Sequence, residues 1–323
     1  MLSNVVTINA KSPLLDERKL TGITLDKFLN HEISPHEHIL SPWLITRSLN
    51  MLHAKRGVGK THMGLAIAYA VATGTGFLIW AASKPRKVCY LDGEMSSSSL
   101  QSRFAAISQS NPCNEELLKN LKVFTPDLQD GQMPDIADPR WHEALDGFID
   151  ESELVIVDNL SCLARSGGNE NDADSWHFLA EWALKLRREG KAVLFLHHSG
   201  KSGQQRGTSR KEDILNVVIN LKHPSDYTPD MGAFFEVHIE KGRELYGEEA
   251  KPFIAKLSSD EDGHKWTLID IEEETYGKVI NLVNTGLSAG EVAAELNVHK
   301  STVSRHIKAA KETGQLPSKG SWK

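Results

Sequence analysis

The sequence predicts an α/β protein, a mainly parallel sheet covered by helices, followed by a small all-α unit. Three observations carry this. Short continuous apolar runs, VCYL at 88–91, LVIVD at 154–158 and AVLFL at 192–196, have the length and β-rich composition of strands buried on both faces. Helical periodicities alternate with them, the mark of parallel strands joined by crossover helices. Beyond residue 271 the strand-like runs stop and only helical patterns follow.

A chain of 323 residues has room for a core of about 200 to 250 residues and a smaller appendage. The expected division is a lead-in at 1–45, an α/β domain at 46–271 and a helical domain at 272–323. Three cysteines, Cys89, Cys113 and Cys162, lack C-x-x-C spacing and read as reduced, buried thiols. No run approaches the roughly 20 apolar residues of a membrane span, and no basic-then-apolar leader is present. The expectation is a soluble, cytoplasmic chain with no membrane partner. From Gly277 onward there are seven Lys/Arg against three Asp/Glu, so the tail is basic on a chain whose formal net charge is −6. A basic helical tail on an acidic body is compatible with nucleic-acid binding.

In order, the lead-in offers a short helix at 24–30. Pro35 and Pro42 then argue against regular structure up to residue 45. His31, His36 and His38 lack the Cys or carboxylate that would complete a metal set, and read as exposed. An apolar alternation at Leu49 and Met51 predicts a strand, and a helix runs from the following loop to about Thr73. GTGFLIWAASKPRK reads as a loop or hairpin. Val88–Leu91 is a strand, and Ser96–Ser99 cap a helix with Leu100, Phe104 and Ile107 on one face. An irregular, proline-punctuated stretch leads to a helix at 140–150, the strand 154–158, a helix at 175–189 and the strand 192–196. Further strands are expected at 234–239, 253–257 and 266–271. The tail reads as a helix over 272–284, a short helix to Leu296 opened by the capping box Ser288-x-x-Glu291, and a helix over 300–312. The last two, joined by a tight turn, form a helix-turn-helix pattern. Lys300, Ser301, Ser304 and Arg305 stand where side chains could reach base edges of duplex DNA.

The chemistry gathers on HAKRGVGKTH at 53–62, between a predicted strand and a predicted helix. Gly57 and Gly59 let backbone N–H groups turn inward onto phosphate oxygens at the positive end of the helix. The phosphate-binding set is Ala54, Lys55, Arg56, Gly57, Val58, Gly59, Lys60, Thr61 and His62. Lys60 would reach the outer phosphates and the Thr61 hydroxyl would ligate Mg²⁺. The first position of G-x-x-x-x-G-K-[ST] is filled by Ala54, which alters only the opening turn. Hydrolysis of ATP further needs a held metal, an activated water and positive charge near the γ-phosphate. Asp158, ending its strand, can hold Mg²⁺ through water. Glu94, after the strand ending in Asp92, is the leading general base, with Asp92 its competitor. His197 or His198 can sense the γ-phosphate, and only one should, because neighbouring strand residues face opposite ways.

These stretches, AKRGVGKT, VCYLDGEM, LVIVDNL, LFLHHSGK with QQRGTSR, and IEKGRELYG, resemble the RecA-like P-loop ATPase superfamily, and most closely the hexameric replicative DNA helicases of the plasmid RepA type. The resemblance spans residues 40 to 257. It implies a RecA-like core in which Lys60 and Thr61 bind ATP and Mg²⁺, Glu94 is catalytic, Asp158 is the Walker B acid and His197 or His198 couples γ-phosphate to DNA. It also implies that Lys241 and Arg243 reach the ATP of a neighbouring subunit. The loops after the second and third catalytic strands, with Arg165, Lys201, Arg206 and Arg210, would line a path for single-stranded DNA through a hexameric ring. The helix-turn-helix is not part of the minimal RepA-type core. The expected function is therefore an ATP-dependent DNA motor, a replicative helicase of a mobile element. An ATP-switched DNA-binding regulator and a RadA-like recombination ATPase stand as alternatives.

Overall fold

The computed structural model describes residues 22–165, 173–200, 213–261 and 263–317. The chain divides into two compact units, Met1–His36 and Glu37–Lys323. Among its described residues the first holds a short helix, α1 (Leu25–Leu29), whose residues are all exposed.

The second unit is built on a nine-stranded sheet. Its strands are β3 (Leu49–Ala54), β6 (Val88–Asp92), β7 (Leu121–Phe124), β8 (Leu154–Asp158), β9 (Ala192–His198), β10 (Val217–Lys222), β11 (Phe234–Gly242), β12 (Phe253–Asp260) and β13 (Gly263–Ile269). The spatial order is β13-β12-β11-β10-β3-β9-β8-β6-β7. The six strands from β10 to β7 are parallel, and β10 to β13 form an antiparallel wing. The expected mainly parallel α/β core is thus present.

Burial on both faces follows from alternation along each strand. In β9, Leu194 and Leu196 enter one core while Val193 and Phe195 enter the other. Helix α2 (Lys60–Thr73) is buried nearly all round, which explains its unbroken GLAIAYAVA run. On the opposite face, α7 (Ala173–Arg188) presents Leu179, Trp182, Ala183 and Leu186, an i, i+3, i+4, i+7 stripe. The buried Leu179 and Leu186 side chains contribute about 1.5–3 kcal/mol each. Helix α3 (Ser97–Ser110) packs with Leu100 and Ile107 inward, and Ser96 caps it by accepting from Ser99 N.

Three regions differ from the sequence expectation. Residues 38–45, read as irregular because of Pro42, hold a small antiparallel pair, β1 (His38–Leu40) and β2 (Leu44–Ile45), with Pro42 in the turn between them. The stretch before residue 140, also read as irregular, contains α4 (Glu115–Leu118) and the edge strand β7. Strand β10, VVINLK, was not expected at all, since Asn220 interrupts its apolar run. The segment read as loop or hairpin pairs as β4 (Gly76–Phe77) with β5 (Trp80–Ala81). The helix expected from 140 starts at His142 as α5 (His142–Ile149), and α6 (Leu160–Leu163) follows β8 directly.

The tail folds as α8 (Ile271–Asn284), α9 (Ala289–Glu295) and α10 (Lys300–Glu312) around Val279, Val283, Val292, Val303 and Ala310. The capping box is present in both directions between Ser288 and Glu291. Asn297 takes a positive φ of 51° in the turn before α10, a conformation asparagine tolerates better than most residues. Lys278 of α8 bonds Asp226 of the α/β body at 2.8 Å.

Candidate nucleotide-binding site

Strands β3, β9, β8 and β6 end side by side, in the register Ala54 to His198, Leu196 to Asp158 and Asp158 to Asp92. Their carboxyl ends open into a cleft of about 500 Å³, the place where parallel α/β sheets take ligands. Ala54 is the last residue of β3, fully buried and paired with His198 on one side and Leu221 on the other. The motif's missing glycine is therefore a strand position, where alanine is unstrained.

The turn that follows needs its other glycines. Gly59 has φ +126°, and a Cβ on it would stand 2.7 Å from Phe235 Cε1 on the neighbouring wing. Gly57 has φ +81°. Helix α2 then begins at Lys60, so its unpaired N–H groups and positive dipole end face the cleft.

Lys60 lies across this turn, 5 % exposed, with Nζ 3.4 Å from Ala54 O and 3.0 Å from His198 Nδ1. Burial lowers its pKa to about 8, against the pull of Asp158 and Glu94. Asp158 is buried at the floor. Tyr90 donates to its Oδ2 at 2.6 Å and the Thr61 hydroxyl bonds it as well, while burial pushes its pKa up. Asp92 accepts from the backbone N–H of Met95 at 2.8 Å and of Glu94 at 3.3 Å, so it shapes the turn that presents Glu94. Burial pushes the Asp92 carboxyl up to about 7, and its Oδ1 finds no hydrogen-bond partner among the described residues.

Glu94 faces the cleft with its side chain 60 % exposed. Its Oε2 accepts from Asn159 Nδ2 and lies 3.9 Å from His198 Nε2. Of the two histidines, His198 lines the cleft, and alternation turns His197 to the other face of the sheet.

The oxygen donors suit magnesium. Thr61 and Asp158 are adjacent, and the unpartnered Asp92 Oδ1 ends the neighbouring strand. Mg²⁺ beside a nucleotide needs only one or two protein oxygens, with phosphates and water completing its shell.

The sequence reading gave no site role to Met95, Ser96, Ser99, Arg103 and Asn159, which line the cleft, nor to Tyr90, which supports Asp158 from below. A signal for Arg103 existed. Ser96, Ser99 and Arg103 follow the i, i+3, i+7 spacing of one helix face, beside the apolar stripe of Leu100, Phe104 and Ile107, and all three line the cleft. Beside Arg103, His62 meets His264 edge-on at 5.6 Å, and burial with the Arg103 charge lowers the His62 pKa to about 4.

Other expected residues lie elsewhere. Lys241 and Arg243 are at the far end of β11, where Lys241 pairs with Val218 near the start of β10, while the phosphate loop follows the β3 end paired with Leu221. Arg243 Nη2 donates to Asp213 O at 2.7 Å. Arg165 turns away from the cleft, its guanidinium donating to Met133 O at 2.6 Å. Lys201, Arg206 and Arg210 lie outside the described residues. Lys300, Ser301, Ser304 and Arg305 are exposed on α10, and Arg305 Nη2 lies 3.4 Å from Glu272 Oε1.

Sheet order, glycine turn and convergent acids define an α/β P-loop NTPase core. Residues 15–204 match the family described as an AAA domain, and the chain belongs to that family. Among solved structures, a KaiC-like protein of Pyrococcus horikoshii is similar with TM-score 0.49 and 14% identity, over 71% of this chain and 93% of that one. The flagellar accessory protein FlaH of Methanocaldococcus jannaschii is similar with TM-score 0.47 and 15% identity, over 69% and 90%. No curated protein matches the chain. No helix among the described residues is long and apolar enough to cross a membrane.

Proposed function

We propose that this ATPase is a magnesium-dependent DNA motor, a replicative helicase of the RepA type from a mobile element, acting as a hexameric ring. The observation that carries the reading is the separation of the parts. Lys60, Thr61, Glu94, Asp158 and His198 share one cleft, whereas Lys241 and Arg243 lie at the opposite end of the sheet. A cation pair there cannot serve its own cleft, and charge stabilisation at a phosphate is what a neighbour's arginine supplies. In this reading Lys60 binds the outer phosphates, Thr61 and Asp158 hold Mg²⁺, Glu94 orients and deprotonates the attacking water, and His198 reports γ-phosphate to the segment beginning at Ser199. When bound, Mg²⁺ would neutralise charge on the β- and γ-phosphates.

DNA enters the proposal at two places. Lys201, Arg206 and Arg210, with Arg165, would contact a single strand in the ring. Lys300, Ser301, Ser304 and Arg305 of a helix-turn-helix formed by α9 and α10 would contact duplex DNA. The exposure of all four residues on α10 also favours a second reading, an ATP-switched site-specific DNA binder. Displacement of an annealed strand by purified protein, dependent on ATP and absent from Lys60→Ala, tests the first. Site-specific duplex binding with no displacement would establish the second.

A further inference from the structure

In the middle of β6 an otherwise aliphatic and thiol run carries a tyrosine, Tyr90. It is fully buried, and its hydroxyl donates to Asp158 Oδ2 at 2.6 Å. Phenylalanine would fill the same space without requiring a partner for a hydroxyl, so packing alone does not call for tyrosine. The sheet register explains the reach. Tyr90 stands opposite Ile156 in β8, and its ring extends diagonally to the residue two places further on, Asp158.

The room for that hydroxyl is made by α2. A Cβ on Gly64 would stand 2.7 Å from Leu196 Cδ2 and 3.3 Å from the Tyr90 hydroxyl oxygen. Gly64 therefore lets the helix that starts at Lys60 settle onto the two strands that present Tyr90 and the end of β9. Asp158 has a broad, two-fold last torsion, so nothing in its own side chain fixes the plane of its carboxylate. The Tyr90 hydroxyl on one oxygen and Thr61 beside it do so.

We propose that Tyr90 is a positioning residue, whose hydroxyl holds the Asp158 carboxylate in the orientation required by a magnesium ion arriving with the nucleotide. The inference rests on the nucleotide-site reading above and assigns the work of orientation to a strand residue to which the sequence analysis gave no role. Partners that orient a metal's protein donors typically change metal affinity by about 10–100-fold when removed.

The test is ADP binding by the full chain, titrated with Mg²⁺ and repeated in EDTA, for the unaltered protein and Tyr90→Phe. The expected result is ADP affinity in EDTA unchanged within about twofold, and a Mg²⁺ midpoint raised about tenfold. In an Asp158→Asn background Tyr90→Phe should shift the midpoint no further. That second pair also removes the buried charge, which keeps the comparison available should the single variant fold poorly. An unshifted midpoint in Tyr90→Phe, or an equal shift with and without the Asp158 carboxylate, overturns the proposal. An unaltered chain that binds no ADP at any Mg²⁺ concentration overturns the site reading itself, before any variant is compared.

Discussion

His198 stands between Lys60 and Glu94, its Nδ1 3.0 Å from the lysine Nζ and its Nε2 3.9 Å from the glutamate Oε2. One imidazole thus touches both the group assigned to the phosphates and the group assigned to water. His198→Ala is expected to lower turnover by about 10²-fold while ATP affinity stays within a few-fold, since a single polar contact to developing charge is worth that much. Steady-state ATPase assays with a fluorescent-nucleotide titration check it. Loss confined to affinity would show that His198 only shapes the pocket.

Lys60→Ala should abolish ATP binding. Glu94→Gln should bind ATP normally and lose about 10²- to 10⁴-fold in hydrolysis, the usual span for a general base. Near-parental hydrolysis by Glu94→Gln would move the base to Asp92, which bonds the backbone N–H of Glu94 and whose pKa of about 7 suits proton transfer.

The parallel core was legible because strands buried on both faces write themselves as unbroken apolar runs, as at 154–158 and 192–196. Strand β10 was not, because Asn220 in its middle answers to Glu240 on β11, a contact between residues far apart in the pattern. That the phosphate loop, Glu94 and Asp158 meet in one cleft was readable from the glycine-rich loop and from acids placed at strand ends. The choice between His197 and His198 needed the register of β9 against β3, and Tyr90 needed the diagonal to Asp158, neither of which a one-dimensional pattern contains.

Mixing Arg243→Ala with Lys60→Ala chains should restore part of the turnover lost by each. A mixed interface places an intact Arg243 beside an intact loop. ATPase activity across mixing ratios measures this. Activity no greater than the sum of the separate variants, with exchange of subunits demonstrated, removes the proposed role across the interface.

Neutralising Lys201, Arg206 and Arg210 together should weaken single-strand binding and flatten its salt dependence, with basal hydrolysis kept. Fluorescence anisotropy at several salt concentrations reads both quantities. Unchanged affinity and slope would place the DNA path elsewhere.

His53 is buried between Ser199 Oγ and Glu240 Oε2, 2.9 Å from each, and the His53 bond is the largest cause holding the Glu240 pKa down at about 2. Its stabilisation is present above the unfolded value of 4.5 and lost as pH falls toward about 2. Because the Glu240 side chain is 39% exposed, screening reduces the effect to on the order of 1 kcal/mol. Urea melts at pH 6 to 2.5 should show Glu240→Gln less stable than the parent at the upper end and converging on it in acid. A constant difference across that range would refute the linkage.

In the proposed assembly, the placement of Arg243 at one end of the sheet and the glycine turn at the other would make each protomer polar, with a donor end and an acceptor end. Contacts between such unlike ends are heterologous, so they close into a ring or continue as an open fibre. In an open stack of the proposed kind, one terminal chain has a loop that no neighbour completes. Closure would supply every loop with its arginine. Specific activity would then rise with protein concentration and level off once rings predominate, making assembly itself the first control on turnover.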